Sequence, residues 1–100
     1  MVIIAGTLKI KLEVRDAAIS AMLAVVTATK PEAGCIVYDF WNDLGDANRF
    51  HIYEEWDKQE SLDAHMKQEH TQKFLSLIPA YIDGAMSVNR YEAESGGSLL

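Results

Sequence analysis

The sequence contains a single cysteine, Cys35, and this scarcity excludes an internal disulfide and a metal site built on thiolates. Nine lysine and arginine residues face fifteen aspartate and glutamate residues, so the net charge is −6. Because an acidic surface repels phosphate backbones, we expect no nucleic-acid partner. No apolar run approaches the roughly 20 residues of a membrane-spanning helix, so we expect no membrane partner either.

The first five residues are apolar, but Lys9 and Lys11 soon follow, and the basic region and cleavage site of a signal peptide are missing. We therefore expect a cytoplasmic protein. One hundred residues are enough for one hydrophobic core and not for two. We expect a single domain over residues 1–92, followed by a flexible tail over residues 93–100, which contain two adjacent glycines.

The hydrophobic periodicity predicts the order strand, helix, strand, strand, helix, strand. The expected strands cover residues 2–12, 35–42, 49–56 and 85–92, and the expected helical segments cover residues 14–29, 58–66 and 72–78. Pro31 and Gly34 should end the first helix, whereas Asp57 and Glu60 have the spacing of a capping box at the start of the second. This order is typical of the ferredoxin-like α+β fold (βαββαβ), in which helices cover one face of a four-stranded antiparallel sheet.

Large apolar side chains alternate onto both faces of the predicted sheet. Phe40 and Ile52 should point to one face, and Trp41 and Tyr53 to the other. Helices can cover only one face, and a large exposed apolar face is a liability for a monomer. We therefore predict a homodimer in which two sheets pack against each other.

His65 is the main candidate for chemistry. It shares one stripe of the second helix with Leu62 and Met66, and this stripe should face the sheet. An imidazole, with an ordinary pKa of about 6.5, can transfer protons near neutral pH. The alternative is a core imidazole that is hydrogen-bonded to a carbonyl or a carboxylate, and position alone favours that alternative.

Glu54 is the second candidate, because it lies between Ile52 and Trp56 on one face of a strand. A carboxylate there must be paired, protonated or next to a water-filled cavity. It could be an acid or base that faces His65, or an ion-pair partner of Arg90, and the sequence does not separate these two interpretations.

Several aromatic and apolar residues could bind a planar substrate near His65. These candidates are Tyr38, Tyr53, Trp56, Met66, Phe74 and Ile78. For each residue alone, a place in the core or in an interface is the ordinary alternative. His65 and His70 are five residues apart and would not share one face of a continuous helix, so we predict no metal site.

Four short motifs resemble the antibiotic biosynthesis monooxygenase family of dimeric α+β barrels. They are Glu32-Ala33-Gly34-Cys35-x-x-Tyr38, Asn48-Arg49-Phe50, Tyr53-Glu54-x-Trp56 and Leu62-Asp63-Ala64-His65. Their order and spacing are similar to the family over residues 3–91. The resemblance implies a homodimer, a pocket between helices and sheet in each subunit, and a functional role for His65, which occupies the most typical polar position of the family motif.

The resemblance leads first to the hypothesis of a cofactor-free monooxygenase that acts on a quinol, phenol or anthrone-type aromatic. Such a substrate can supply an electron to dioxygen once it is deprotonated, so the protein needs a dry pocket and a base. The expected roles are base or proton shuttle for His65, tuning of His65 for Glu54, and binding of a substrate oxygen for Tyr38 or Tyr53.

Alternatively, the dimer binds or isomerises a small metabolite without using oxygen. A phosphorylated ligand would then need Lys9, Arg49 or Arg90 in the pocket. A third possibility is a non-catalytic dimer, whose cavity would fall below the roughly 300 Å³ of a real site. We do not expect the haem-degrading activity of another branch of the family, because Thr7, His65 and Leu75 replace the residues typical of that branch.

Overall fold

Four strands and three helices form two layers in the computed structural model, which describes all 100 residues. The elements are β1 (Val2–Lys9), α1 (Arg15–Thr29), β2 (Cys35–Asp43), β3 (Asp46–Trp56), α2 (Gln59–Met66), α3 (Glu69–Leu77) and β4 (Ser87–Glu92). All neighbouring strands are antiparallel, and their order across the sheet is β2-β3-β1-β4. The predicted ferredoxin-like α+β fold is thus confirmed.

The hydrophobic core lies between the sheet and the helices. Burial alternates along β3, where Phe50, Ile52, Glu54 and Trp56 are buried and the residues between them are only partly buried. From the other layer, α1 contributes buried side chains that include Met22. Because strand side chains alternate between faces, Glu54 points into the core with its apolar neighbours.

Two predicted boundaries around the central hairpin and β1 were wrong. The third strand begins at Asp46 rather than at residue 49, because the hairpin turn needs only two residues and is tightened by a Gly45 N–H that donates to Asp43 Oδ2 at 2.9 Å. The first strand ends at Lys9 rather than at residue 12, since a 3-10 turn over Leu12–Val14 leads directly into α1.

The predicted capping box was also wrong. The residue that precedes α2 is Lys58, which makes no side-chain cap, and the Asp57 carboxylate instead accepts a hydrogen bond from the Ser61 hydroxyl. The next helix, α3, begins at Glu69 rather than at residue 72. Lys67 and Gln68 therefore separate α2 from α3, and the residues on either side of this break belong to different helices.

Residues 93–100 form neither helix nor strand. The domain limit at residue 92 and the flexibility of the tail remain predictions. No helix of the structure has the length and apolar composition needed to cross a membrane.

One buried hydroxyl in the core has no partner, and it provides a test of the packing around α1. Thr29 Oγ1 is fully buried without a hydrogen bond, which costs about 1–3 kcal/mol. We expect Thr29→Val to raise the free energy of unfolding by about 1 kcal/mol in urea denaturation. The control, Thr27→Val on the exposed side of α1, should change it by less than about 0.5 kcal/mol. Destabilisation by Thr29→Val would contradict this assignment.

Candidate functional site

A cavity of about 350 Å³ lies between the sheet and helices α2 and α3. Its lining is mostly apolar, and the polar side chains within it are Tyr38, Glu54, Gln59, Asp63, His65 and Thr71. The volume exceeds the roughly 300 Å³ expected of a small-molecule site. A mostly apolar wall with a few polar groups is also the usual composition of such sites.

His65 lies on the buried side of α2 and is only 2% exposed. Its ring centroid is 4.8 Å from that of the Trp56 ring and 5.3 Å from that of Tyr38. Its Nδ1–H donates a hydrogen bond of 2.8 Å to Glu32 Oε2, and Thr71 Oγ1 lies 3.2 Å from the same nitrogen. Nε2 has no partner within the chain, so it is the nitrogen available to a molecule in the cavity.

Glu32 is the residue that organises this cluster. The same atom, Oε2, also accepts a hydrogen bond of 2.7 Å from His70 Nε2. The Glu32 backbone is fixed in the turn between α1 and β2, where its N–H donates to the Thr29 carbonyl and its own carbonyl accepts from Cys35 N–H. Gly34, with φ at +83°, completes this turn, and a Cβ there would collide with the Ser61 side chain.

The proximity of the two histidines corrects the prediction made for a continuous helix. Because the chain breaks between α2 and α3, the His65 and His70 rings come within 6.1 Å of each other. The donor atoms of Glu32, His65 and His70 lie within 4.8 Å of one another, so this set is the one that could hold a metal ion. However, its contacts of 2.7 and 2.8 Å are hydrogen-bond lengths, whereas zinc ligands lie about 3.3 Å apart. We therefore interpret the cluster as one that shares protons.

Burial lowers the pKa of His65, and the hydrogen bond and charge of Glu32 oppose this effect only in part. The imidazole is therefore neutral near pH 7. Because Glu32 accepts from Nδ1–H, the lone pair of the neutral ring is on Nε2. A neutral imidazole with a free lone pair that faces a cavity has the chemistry needed for general-base catalysis.

Glu54 has a different environment from Glu32. Its Oε1 accepts a hydrogen bond of 2.9 Å from Trp56 Nε1–H, and Oε2 has no partner within the chain. Burial raises the pKa of Glu54 to about 7, the Trp56 bond lowers it in part, and the charge of Glu32 raises it further. Near neutral pH, this carboxyl group therefore exists in both its protonated and its ionised form and can give or take a proton.

Neither expected contact of Glu54 is formed. It makes no hydrogen bond to His65, which is held by Glu32 instead. It makes no ion pair with Arg90, which donates to Gln59 and lies 3.5 Å from Glu92. The sequence left both partners open, and the structure instead gives Glu54 a hydrogen bond from the Trp56 indole and a place in the cavity wall.

The structure brings together most of the predicted substrate-binding residues. Tyr38, Met66, Phe74 and Ile78 line the cavity. Burial and the charges of Glu54 and Glu32 raise the pKa of Tyr38, so its hydroxyl remains a neutral hydrogen-bond donor.

Two predicted binding residues do not line the cavity. Trp56 is fully buried behind His65 and acts through its contacts with His65 and Glu54. Tyr53 pairs with Ala5 and Asp39 on the opposite face of the sheet, so it does not reach the cavity. Side chains alternate along a strand, and Tyr53 therefore cannot share a face with Glu54.

Both the sequence and the fold of the chain match known proteins. The family model described as antibiotic biosynthesis monooxygenase matches residues 1–76. The chain belongs to the antibiotic biosynthesis monooxygenase family. A structure titled antibiotic biosynthesis monooxygenase, 28% identical, superposes with a TM-score of 0.86 over 95% of this chain and all of that one.

Several other known proteins are similar to this chain over most of its length. A crystal structure from Deinococcus radiodurans, provisionally named an antibiotic biosynthesis monooxygenase, is 24% identical with a TM-score of 0.91, and the match covers 100% of this chain and 99% of that chain. The provisionally named monooxygenase YcnE of Bacillus subtilis is 25% identical over 92% of this chain and 97% of its own length. The uncharacterised Synechocystis protein sll1783 is 24% identical over 91% of this chain, which spans 62% of that protein's length.

Glu32 is the residue of the candidate site that sequence reasoning missed, although it stands in the first motif that resembles the family. Its signal was its place two residues before Gly34 in the turn after α1. Nothing in the periodicity indicates that this turn reaches His65, 33 residues further along the chain.

The raised pKa of Glu54 predicts a pH-dependent cost to stability. The folded state holds the proton up to about pH 7, whereas an unfolded carboxyl group loses it near 4.5, so stability should fall as pH rises between these values. Glu54→Gln should remove this fall and raise the free energy of unfolding at pH 8 by up to about 3 kcal/mol. Urea denaturation between pH 5 and 8 measures the free energy of unfolding of both proteins as a function of pH.

Glu55→Gln is the matched control, because the neighbouring Glu55 lies on the opposite face of β3 and is only partly buried. The lowered pKa of His65 has the opposite effect, because it makes stability rise with pH below the ordinary pKa of histidine. This contribution is the same in the wild type and in Glu54→Gln, so it cancels when their pH profiles are compared. Parallel pH profiles for the wild type and Glu54→Gln would refute the burial of an ionisable group at this position.

Proposed function

We propose that this protein is a cofactor-free monooxygenase of a quinol, phenol or anthrone-type aromatic. The observation that carries the proposal is the convergence of three polar groups without partners on one apolar cavity: His65 Nε2, the free Glu54 oxygen and the Tyr38 hydroxyl. An apolar cavity suits a planar aromatic ring, and these three groups can act on its oxygen or on its acidic C–H.

The first step is removal of a substrate proton by His65 Nε2. The resulting imidazolium is stabilised by its Nδ1–H bond to the Glu32 carboxylate. Tyr38 donates a hydrogen bond to the substrate oxygen that gains charge. The electron-rich anion then transfers one electron to dioxygen, and the substrate radical and superoxide combine to form a peroxide.

The second step is collapse of this peroxide. Protonated Glu54 first gives its proton to the peroxide anion, which becomes a hydroperoxide. The Glu54 carboxylate then removes the remaining proton from the carbon that bears the hydroperoxide, the C–H electrons form a carbonyl, and the O–O bond breaks. The departing hydroxide takes the proton of the His65 imidazolium and leaves as water, so both side chains return to their starting states. Dioxygen thereby supplies one atom to the product and one to water, and the substrate supplies all the electrons.

The charged residues do not favour a phosphorylated ligand. None of Lys9, Arg49 and Arg90 lines the cavity. Lys9 forms an ion pair with Asp46 at 3.6 Å, and Arg90 contacts Glu92 and the cavity-lining residue Gln59. A phosphate dianion in the cavity would thus lack the cation that it needs, which supports the oxygenase over isomerisation of a sugar phosphate.

We infer that the protein is a homodimer formed through the sheet face that the helices leave open. This face carries Val37, Trp41, Tyr53 and Tyr91, and Trp41 and Tyr91 are 48% and 52% exposed. A face with this much apolar and aromatic surface is typical of an interface. We also keep the prediction of a cytoplasmic protein.

We expect His65→Gln to lower the turnover number for a quinol or anthrone by a factor of about 10² or more, because the general base is lost. Oxygen uptake with a panel of these substrates measures it. His51→Gln is the control, since that imidazole bonds to Asp43 away from the cavity. Equal rates for the wild type and His65→Gln would remove His65 from the mechanism, and no oxygen uptake with any substrate would reject the monooxygenase.

We expect Trp41→Glu to convert the dimer into a monomer, because it replaces a large exposed aromatic side chain on the proposed interface by a charge. Light scattering coupled to size-exclusion chromatography gives the mass. Leu44→Glu introduces the same charge at the fully exposed hairpin turn and should leave the dimer intact. A wild-type mass of one chain, 11.2 kDa, would reject the dimer.

A further inference from the structure

His65 and His70 open onto different sides of the helical layer. His65 lines the cavity, whereas His70 lines a separate groove between α1 and α3 together with Lys73 and Tyr81. The His70 side chain is 26% exposed, and that of His65 only 3%. A substrate that fills the cavity therefore separates His65 Nε2 from bulk water, but it leaves His70 in contact with solvent.

A single carboxylate oxygen serves both imidazoles. Glu32 Oε2 accepts from His65 at 2.8 Å and from His70 at 2.7 Å. The Glu32 side chain is itself only 11% exposed, so its negative charge is screened poorly by water. One negative charge balances one imidazolium well, and a second imidazolium beside it is repelled by the first.

We propose that His70 is the proton exit of this site, releasing a proton to solvent when His65 accepts one from the substrate. This inference rests on the proposed function, in which His65 is the base. The substrate proton binds His65 Nε2, and His70 loses its Nδ1 proton to water while its Nε2–H remains bonded to Glu32. The cluster has the same net charge before and after, so no uncompensated charge forms in the core.

The direct test is the coupling between the two imidazoles in the free protein. The ¹⁵N chemical shifts of each ring report its protonation across a pH titration, and His51, on the other side of the sheet, serves as the internal reference. The remaining titratable groups around the cluster are Glu54 on β3, Tyr38 and Cys35 on β2, Asp63 on α2, Lys73 on α3 and Tyr81, which follows the 3-10 turn after α3. None of these is changed in the variants compared.

In the wild type, both the His65 and His70 signals should move in both titration steps, as coupled sites do. His70→Gln can still donate to Glu32 but cannot titrate, and it should raise the pKa of His65, because the charge of His70 no longer opposes protonation of His65. Glu32→Gln should lower it, because the stabilising carboxylate is lost. An equal pKa of His65 in the wild type and His70→Gln would overturn the coupling. If a variant does not fold, the titration of the wild type alone still shows whether His65 and His70 are coupled.

Turnover tests the exit itself. In weakly buffered solution, His70→Gln should oxidise a quinol about ten times more slowly than the wild type, and added imidazole buffer should restore the rate. A merely structural role of His70 would not respond to buffer, so a rate that is independent of imidazole overturns the proposal. If the wild type consumes no oxygen, the monooxygenase is rejected, and the NMR titration still decides whether His70 and His65 exchange charge.

Discussion

One carboxylate oxygen connects three parts of this fold. Glu32 Oε2 binds an imidazole from α2 and another from α3, while the turn that carries it follows α1. A buried polar ring is tolerated only when it is hydrogen-bonded, so the position of His65 within the core depends on this atom. The same contact selects the tautomer of His65 and thereby decides that Nε2, rather than Nδ1, meets a ligand. Packing of the helices and the chemistry of the base thus rest on one interaction.

The two buried carboxyl groups show how environment separates their roles. Glu32 faces two imidazoles and accepts a hydrogen bond from each. Glu54 faces an indole N–H and an apolar cavity, and burial raises its pKa to about 7. One group can therefore hold a base in place, and the other can supply a proton at neutral pH. The charge of Glu32 also contributes to the raised pKa of Glu54, so the two roles are coupled.

Local patterns in the sequence predicted the fold and part of the site. Alternation along the third strand placed Glu54 with Ile52 and Trp56, and helical spacing placed His65 on the buried side of α2. The same alternation should have removed Tyr53 from the binding residues, because it points away from Glu54.

What the sequence did not predict depends on long-range geometry. Glu32 meets His65 only because a turn that contains Gly34 brings it against the end of α2. His70 joins them because α3 already begins at Glu69, whereas the sequence pattern indicated a second helical segment only from residue 72. Periodicity reports which face of an element a residue occupies, but it does not report which distant residue lies opposite it.

The cavity wall formed by β4 differs from the wall that holds the base. Every residue of this edge strand is exposed. Val88 within the strand and Met86 just before it line the cavity while remaining 40% and 45% exposed. Substitutions at exposed positions usually change stability little, whereas changes around His65 disturb the core. The proposed chemistry is therefore anchored in the part of the molecule that tolerates least variation. The choice of substrate can diverge along the β4 edge between related proteins without loss of the fold.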